Sequence, residues 1–196
     1  GEYATAEPNM AVDAACVKTG AISALTAGST EKVYSVLVAL PDSVQAMSVD
    51  MPGLVQTSTN FGVMKLEENE LTFSNTIRSS ITAQKWWIVE KITGIVKLAG
   101  GVTVTDGNYP GWAYNPHSVV KDTILAAYKK LFHADATVEA VHAGIECGLF
   151  ADSIPHLDCV SIGPTMADVH TPREHLSISS SERTFRLLKE VLAQSK

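Results

Sequence analysis

The first half of the chain alternates between helical and strand patterns. Apolar residues recur at helical spacing from Ser29 or Thr30 to Leu40, and Pro41 ends the helix that this spacing predicts. Apolar and polar residues then alternate over 55–63 and again over 71–78, with a polar turn between the two runs. This alternation predicts a long β-hairpin with one apolar and one Thr/Ser-rich face, and Arg78 falls on the polar face.

A second helix and a short strand are predicted after the hairpin. From about Thr82 to Ala99 the apolar residues form a stripe along one side of a helix, and Gly100-Gly101 supplies its stop. Val102 and Val104 then indicate a short strand. This order of elements favours an antiparallel sheet with helices on one face, whereas the first 25 residues have no clear period and predict irregular structure.

The pattern changes after a turn-rich segment at 106–112. Beyond it we expect alternating helices and strands, which is typical of an α/β layer. The expected elements are a helix at 118–132, a strand at 137–141, a short helix after Gly144, a strand at 157–162 and a terminal helix. The sequence therefore predicts a mixed fold, with an antiparallel α+β portion over 1–106 and an α/β segment over 107–196.

Composition narrows the functional class. The chain has 196 residues, is 45% hydrophobic and carries 15 Lys+Arg against 21 Asp+Glu, so it can bury a core and has a net charge of −6. It has no cluster of basic residues and no apolar run of membrane length, which argues against nucleic acid and membrane partners. The three cysteines are odd in number and have no C-x-x-C spacing, which favours a reducing cytoplasm.

The loop at 142–148 is a candidate ligand site. It follows a predicted strand and contains Gly144, whose backbone N–H could approach a ligand where the next helix begins. Glu146 stands in the first turn of that helix. The alternative, which the local pattern favours, is an ordinary strand-to-helix turn with a capping glutamate.

The loop at 161–174 and the hairpin carry two further candidates. His170 lies near Asp168 and Glu174, and imidazole is the commonest transition-metal ligand, often oriented by a carboxylate. A solvent-exposed histidine is the alternative, because zinc requires three or four ligands. Arg78 could clamp a carboxylate with its guanidinium fork, or it could be a surface arginine beside an acid.

Several short runs in a fixed order carry a more specific signal. They are Gly53-Leu-Val-Gln-Thr-Ser-Thr-Asn-Phe-Gly62, Ile77-Arg-Ser-Ser80, Tyr109-Pro-Gly-Trp112, His142-Ala-Gly-Ile-Glu-Cys-Gly-Leu-Phe150, Ser161-Ile-Gly-Pro-Thr165 and Asp168-Val-His-Thr-Pro172 with Glu174. Together they resemble the C-terminal part of aminoacyl-histidine dipeptidases. This family, also called Xaa-His dipeptidases or bacterial carnosinases, lies in the aminoacylase/carboxypeptidase zinc metallopeptidase superfamily. The resemblance extends from about Leu40 to the C-terminus.

The resemblance implies a two-part enzyme. In this family a catalytic α/β domain holds two zinc ions, and an inserted lid domain closes over the substrate and often forms a dimer. Residues 1–106 would then be part of the lid, and residues 107–196 the C-terminal segment of the catalytic domain. The implied partners are a dipeptide substrate and a second copy of the chain.

The resemblance also implies roles for single residues. His170 matches the last zinc ligand. Glu146 and Asp168 match residues that support the groups in contact with metal or substrate.

On the substrate side, Arg78 matches the lid arginine that binds the substrate carboxylate. Gly144 matches a glycine whose backbone contacts the substrate, and Asn60 is a further lid-side candidate.

The matched runs do not include the family's other zinc ligands or its paired glutamates, one of which is the general base. The single Glu-Glu pair of this chain, Glu67-Glu68, lies in the predicted hairpin turn. Because zinc catalysis needs several ligands and a base, no catalytic residue is assigned here. The resemblance implies a fragment of a zinc dipeptidase that retains little zinc and is inactive alone.

Two other functions stay open on the sequence. The chain could be a non-catalytic module that serves dimerisation or binding through the lid sheet. It could also derive from a broader dipeptidase or an N-acyl-amino-acid deacylase, because nothing in the sequence shows which side chains the pocket accepts.

Overall fold

The computed structural model describes residues 5, 8–11, 13–15, 19–21, 23–67 and 70–194. Cys16 and two residues of the predicted hairpin turn, Glu68 and Asn69, lie outside the described residues. The chain divides into two compact units, residues 1–38 and 39–196, and each is considered by itself. The boundary expected at residue 106 lies inside the second unit and stays a prediction.

The first helix, α1, covers Ala27–Ala39, close to its predicted range. The Thr26 hydroxyl accepts a hydrogen bond from the backbone N–H of Ser29 at 3.2 Å, which satisfies one of the free N–H groups of the first turn. Pro41 follows the end of the helix, as predicted. Among the described residues before Ala27 there is no helix or strand.

A three-stranded antiparallel sheet forms the centre of the second unit. Its strands are β1 (Ser43–Met47), β2 (Val55–Glu67) and β3 (Glu70–Ser79), in the order β1-β2-β3. The hairpin of β2 and β3 confirms the predicted alternation. The short strand β1 was not predicted; it has five residues, and its pairing with β2 is irregular.

Helix α2 (Thr82–Leu98) packs against β3 and confirms the second predicted helix. Its residues Ile88 and Ile92 are buried. The sheet contributes Thr57 and Thr59, which are each 1% exposed, to the buried layer. Thr57 shares hydrogen bonds with Ser79 and Gln84, so this layer is partly polar rather than apolar as expected.

Helices dominate the rest of the chain. They are α3 (Val119–Phe132), α4 (Glu146–Ser153) and α5 (Ile178–Gln194), with a minimal two-strand ladder of β4 (Met166–Ala167) and β5 (His175–Leu176) between the last two. Helix α3 packs on α5, and Ala127 of α3 and Leu187 of α5 are buried. All three helices were predicted. None of the described helices is long and apolar enough to cross a membrane.

Three predicted strands do not form. The segments around 102–104, 137–141 and 157–162 have no strand hydrogen bonding, and the Val102 and Val104 side chains are 89% and 93% exposed. A strand is completed only by a neighbour that pairs with its backbone, and the described residues supply none to these segments. The α+β class is confirmed, with its sheets small and antiparallel.

Gly111 gives a test of the packing between the turn-rich segment and the end of β3. A Cβ atom at Gly111 would lie 2.6 Å from the carbonyl oxygen of Ser80 and 2.9 Å from that of Ser79, so the backbone would have to move. We expect Gly111→Ala to lower the free energy of unfolding by about 1–3 kcal/mol. Urea denaturation followed by circular dichroism measures this change.

Gly94→Ala in α2 is the matched control. No atom lies within 4 Å of its added Cβ, so the same change should stabilise the chain by about 0.5–1 kcal/mol through helix propensity. Equal stability of the Gly111 variant and the natural chain would contradict the close packing at Ser80.

Candidate functional site

A cleft of about 900 Å³ lies between the hairpin and the loops of the C-terminal portion. Its wall includes Arg78 from β3, Tyr109 from the turn-rich segment, and His142 and Gly144 from the loop before α4. The sequence places these residues far apart, and the fold brings them to one cavity. The cleft is therefore the candidate functional site.

Arg78 is the charged group of this cleft. It lies opposite Ser58 in the β2–β3 ladder, so the sheet fixes where its side chain leaves the backbone. Within the described part of the chain no carboxylate lies within 4 Å of its guanidinium nitrogens. A permanently charged, unpaired guanidinium at the wall of a cleft suits a carboxylate ligand. The alternative, a surface arginine beside an acidic residue, lacks among the residues that the structure describes the acidic partner that it requires.

His142 stands beside Arg78. Its Nε2 lies 2.7 Å from the Ser58 hydroxyl, which bridges the loop to the hairpin. Partial burial lowers the pKa of His142 below its ordinary value of 6.5, and the positive charge of Arg78 lowers it further; a backbone hydrogen bond at Val55 opposes both. A lowered pKa favours the neutral imidazole at pH 7, so Arg78 is the main cation at this corner of the cleft.

Gly144 lies against the ring of Tyr109. A Cβ at Gly144 would stand 3.1 Å from Cε1 of that ring, so a side chain there would displace Tyr109. Partial burial raises the pKa of Tyr109, and the nearby charges of Glu146 and Cys147 add to the effect. Glu146 is the first residue of α4, where a carboxylate is favoured by the helix dipole.

Asn60 is not part of the cleft wall. It lies on β2 opposite Thr76, on the same face of the sheet as Arg78, and its side chain is exposed. The structure therefore places Asn60 beside the cleft, two pairs further along the hairpin from the Ser58–Arg78 pair.

The candidate metal ligand His170 lies in a separate loop. Asp168 and His170 have φ angles of 52° and 65°, and the Glu174 carboxylate accepts a hydrogen bond from the His170 backbone N–H at 2.8 Å. The imidazole of His170 is exposed. Asp168 lies 3.8 Å from Nδ1 of His175, so it faces His175 rather than His170.

The described residues by themselves do not form a site that fits a zinc ion. Among the described residues no three His, Cys, Asp or Glu side chains come together, and His170 offers one imidazole.

The spacing His-x-Asp occurs twice in the chain, at 133–135 and 156–158, and no role was predicted for either occurrence. His133 caps α3 with a φ of 54°, and Asp135 pairs with Lys129 at 2.8 Å. In the second spacing, which begins at His156, Asp158 accepts a hydrogen bond from the N–H of Val120 at 3.0 Å and so secures the start of α3.

Sequence reasoning also gave no role to Tyr109 or His142. His142 opens the motif that carried Gly144, and Tyr109 lies in the segment interpreted only as a turn. The signal was present in the motifs, but the contacts to Ser58 and Gly144 depend on the fold.

The chain is similar in sequence or in structure to two known dipeptidases. The chain is 37% identical over 172 residues to the cytosol non-specific dipeptidase of Escherichia coli K12, covering 88% of this chain and 36% of that protein. It matches the crystal structure of aminoacylhistidine dipeptidase from Vibrio alginolyticus with a TM-score of 0.80 and 30% identity, over 89% of this chain and 36% of that one. The predicted resemblance to dipeptidases is confirmed.

Aminopeptidase PepT from Bacillus cereus shares the fold, with a TM-score of 0.60 and 14% identity over 83% of this chain and 44% of its own. No family model matches the chain. The chain spans about 36% of the length of its two dipeptidase relatives, which are hydrolases by name.

The electrostatic contact between Arg78 and His142 can be tested by titration. Arg78→Ala removes a positive charge that disfavours protonation, so we expect the pKa of His142 to rise towards its ordinary value. NMR titration of the imidazole signals measures it, with His142→Gln identifying the resonance. Arg173→Ala, in the exposed loop of His170, should leave this pKa unchanged; an unchanged pKa in the Arg78 variant would place the two groups too far apart to interact.

Proposed function

We propose that this chain supplies the substrate-binding part of a dipeptidase, with Arg78 binding the terminal carboxylate of the substrate. The observation that supports it is an unpaired guanidinium on the wall of a large cleft, in a chain whose named relatives are dipeptidases. A bidentate arginine recognises a carboxylate by both charge and geometry. Hydrolysis of Xaa-His dipeptides in the cytoplasm is part of the same proposal, and the relatives, a cytosol dipeptidase and an aminoacylhistidine dipeptidase, support it.

His142 and Gly144 give this cleft its remaining recognition groups. Because a neutral His142 adds no second positive charge beside Arg78, one carboxylate of the substrate is matched by one cation. The backbone of Gly144, held against Tyr109, offers polar groups on the neighbouring wall. Asn60, beside the cleft on the same sheet face as Arg78, would contact the more distant part of a substrate.

His170 is proposed as one ligand of a zinc site completed by residues outside this chain. Its exposed imidazole is free to bind, and the tight loop anchored by Glu174 fixes its backbone. When bound, zinc supplies Lewis acidity and an activated water in hydrolases. Asp168 is proposed to support the loop of His170 through its contact with His175. Glu146 is proposed to support the loop of Gly144 from the first turn of α4.

The chain alone is expected to hydrolyse no dipeptide, with or without added Zn²⁺ or Mn²⁺. One imidazole cannot assemble a catalytic zinc site, which takes about three protein ligands and a base. An assay for free histidine released from a Xaa-His dipeptide measures this, and turnover that disappears with chelator would contradict it.

Arg78→Ala and His170→Ala should have separable effects in the complete enzyme. The arginine variant should keep its zinc and lose about 1.5–3 kcal/mol of binding to the substrate carboxylate, seen as a higher KM. The histidine variant should lose zinc and turnover together. Elemental analysis and steady-state kinetics measure both; normal zinc in His170→Ala would remove His170 from the metal site.

Homodimer formation through the hairpin is proposed on its exposed apolar end. Val63, Met64 and Leu66 are 58%, 55% and 54% exposed on one strand, which favours pairing with a second copy. Sedimentation velocity should show a dimer that Leu66→Lys converts to monomer. Leu98→Lys, on α2 at 91% exposure, is the control that should leave the dimer intact; a natural chain that stays monomeric at high concentration would contradict the proposal.

A further inference from the structure

Lys85 carries a buried ammonium group. It lies in the second turn of α2 and is 8% exposed, although lysine is one of the residues least often buried. Its Nζ donates to the side-chain oxygen of Asn108 at 2.7 Å and to the backbone carbonyl of Tyr109. The ring of Trp86 lies 5.9 Å from the same nitrogen.

The partners of this ammonium are all uncharged. In the described ranges no carboxylate lies within 4 Å of the Lys85 nitrogen. Burying a charge without an opposite charge is unfavourable unless hydrogen bonds compensate for the lost water. The two hydrogen-bond acceptors, Asn108 and Tyr109, therefore determine the role of the Lys85 ammonium, and they are consecutive residues of one segment.

That segment, residues 108–111, supports the wall of the cleft. The ring of Tyr109 lies against Gly144, and Gly111 lies against the backbone of Ser80. The segment thus contacts both the loop before α4 and the end of the hairpin. A shift of the segment would move the Tyr109 ring and with it the support of Gly144.

Lys85 and Arg78 belong to neighbouring elements that form one packed piece. Strand β3 ends at Ser79 and α2 begins at Thr82, and the two elements pack on each other. A bond from Lys85 to residues 108–109 therefore ties the piece that carries Arg78 to the segment that supports Gly144.

We propose that Lys85 is a positioning residue, whose ammonium holds Asn108 and Tyr109 so that the Gly144 loop stands at a fixed place relative to Arg78. The inference rests on the proposed function, because it assigns Lys85 to the recognition of the same substrate. A lysine with a purely structural role would change thermal stability and leave the recognition of substrate unaltered.

Two readouts test the proposal, one structural and one kinetic. In this chain, NMR should show a nuclear Overhauser effect between the Tyr109 ring and the Gly144 Hα protons. In the complete enzyme that carries the chain, KM and kcat are measured for a dipeptide. We expect Lys85→Met to abolish the Overhauser effect and to raise KM about tenfold, with kcat changed less than about threefold.

Three further variants complete the design. Lys85→Arg keeps a cation with several N–H donors and should recover most of the KM change. Lys91→Met, on the exposed side of the same helix, is the matched control and should change neither readout. Asn108→Ala removes one acceptor while keeping the lysine, and it decides the question on the same two readouts if Lys85→Met does not fold.

The outcomes separate this inference from the proposed function. Loss of the Overhauser effect together with a higher KM supports the role of Lys85. Persistence of the effect in Lys85→Met overturns it, and so does its loss with an unchanged KM. Arg78→Ala is measured alongside: if that variant leaves KM unchanged, the proposed function fails, while the Overhauser effect still reports whether Lys85 holds Tyr109.

Discussion

Antiparallel pairing of β2 with β3 is the interaction on which the cleft depends. The ladder sets Ser58 opposite Arg78, so the hydroxyl that reaches His142 and the cation beside that imidazole are held by one pair of residues. A slip of β2 against β3 by one residue would place the two side chains on opposite faces of the sheet. That face is already filled by Thr57, Thr59 and helix α2, so burial on one side fixes the geometry on the other.

The elements that could be predicted are those whose pattern is local. The hairpin, α2 and α3 follow from periodicity and from their end signals, and all three form nearly where expected. The strands expected at 137–141 and 157–162 fail for a different reason. Their apolar content is suitable, but a strand also needs a paired neighbour, and periodicity gives no information about whether one is present.

The candidate site shows the same division. Arg78 and Gly144 could be selected from the sequence because strand faces and loop glycines have local signatures. His142 and Tyr109 could not, because what distinguishes them is contact with Ser58 and with Gly144, which are distant in the sequence. His170 was selected by its motif, and the described residues assemble no group of three potential metal ligands around it.

The hydrogen bond between Ser58 and His142 joins residues 84 positions apart, and this separation bears on the order in which the chain folds. Hairpins form within about 1–10 μs because their contacts are local, whereas contacts between distant residues wait for the closure of a long loop. We therefore expect the sheet face that carries Arg78 to form before His142 makes its contact with Ser58. A newly synthesised chain would pass through a stage in which the arginine is displayed on a formed sheet, open to solvent and to any anion, before the cleft encloses it.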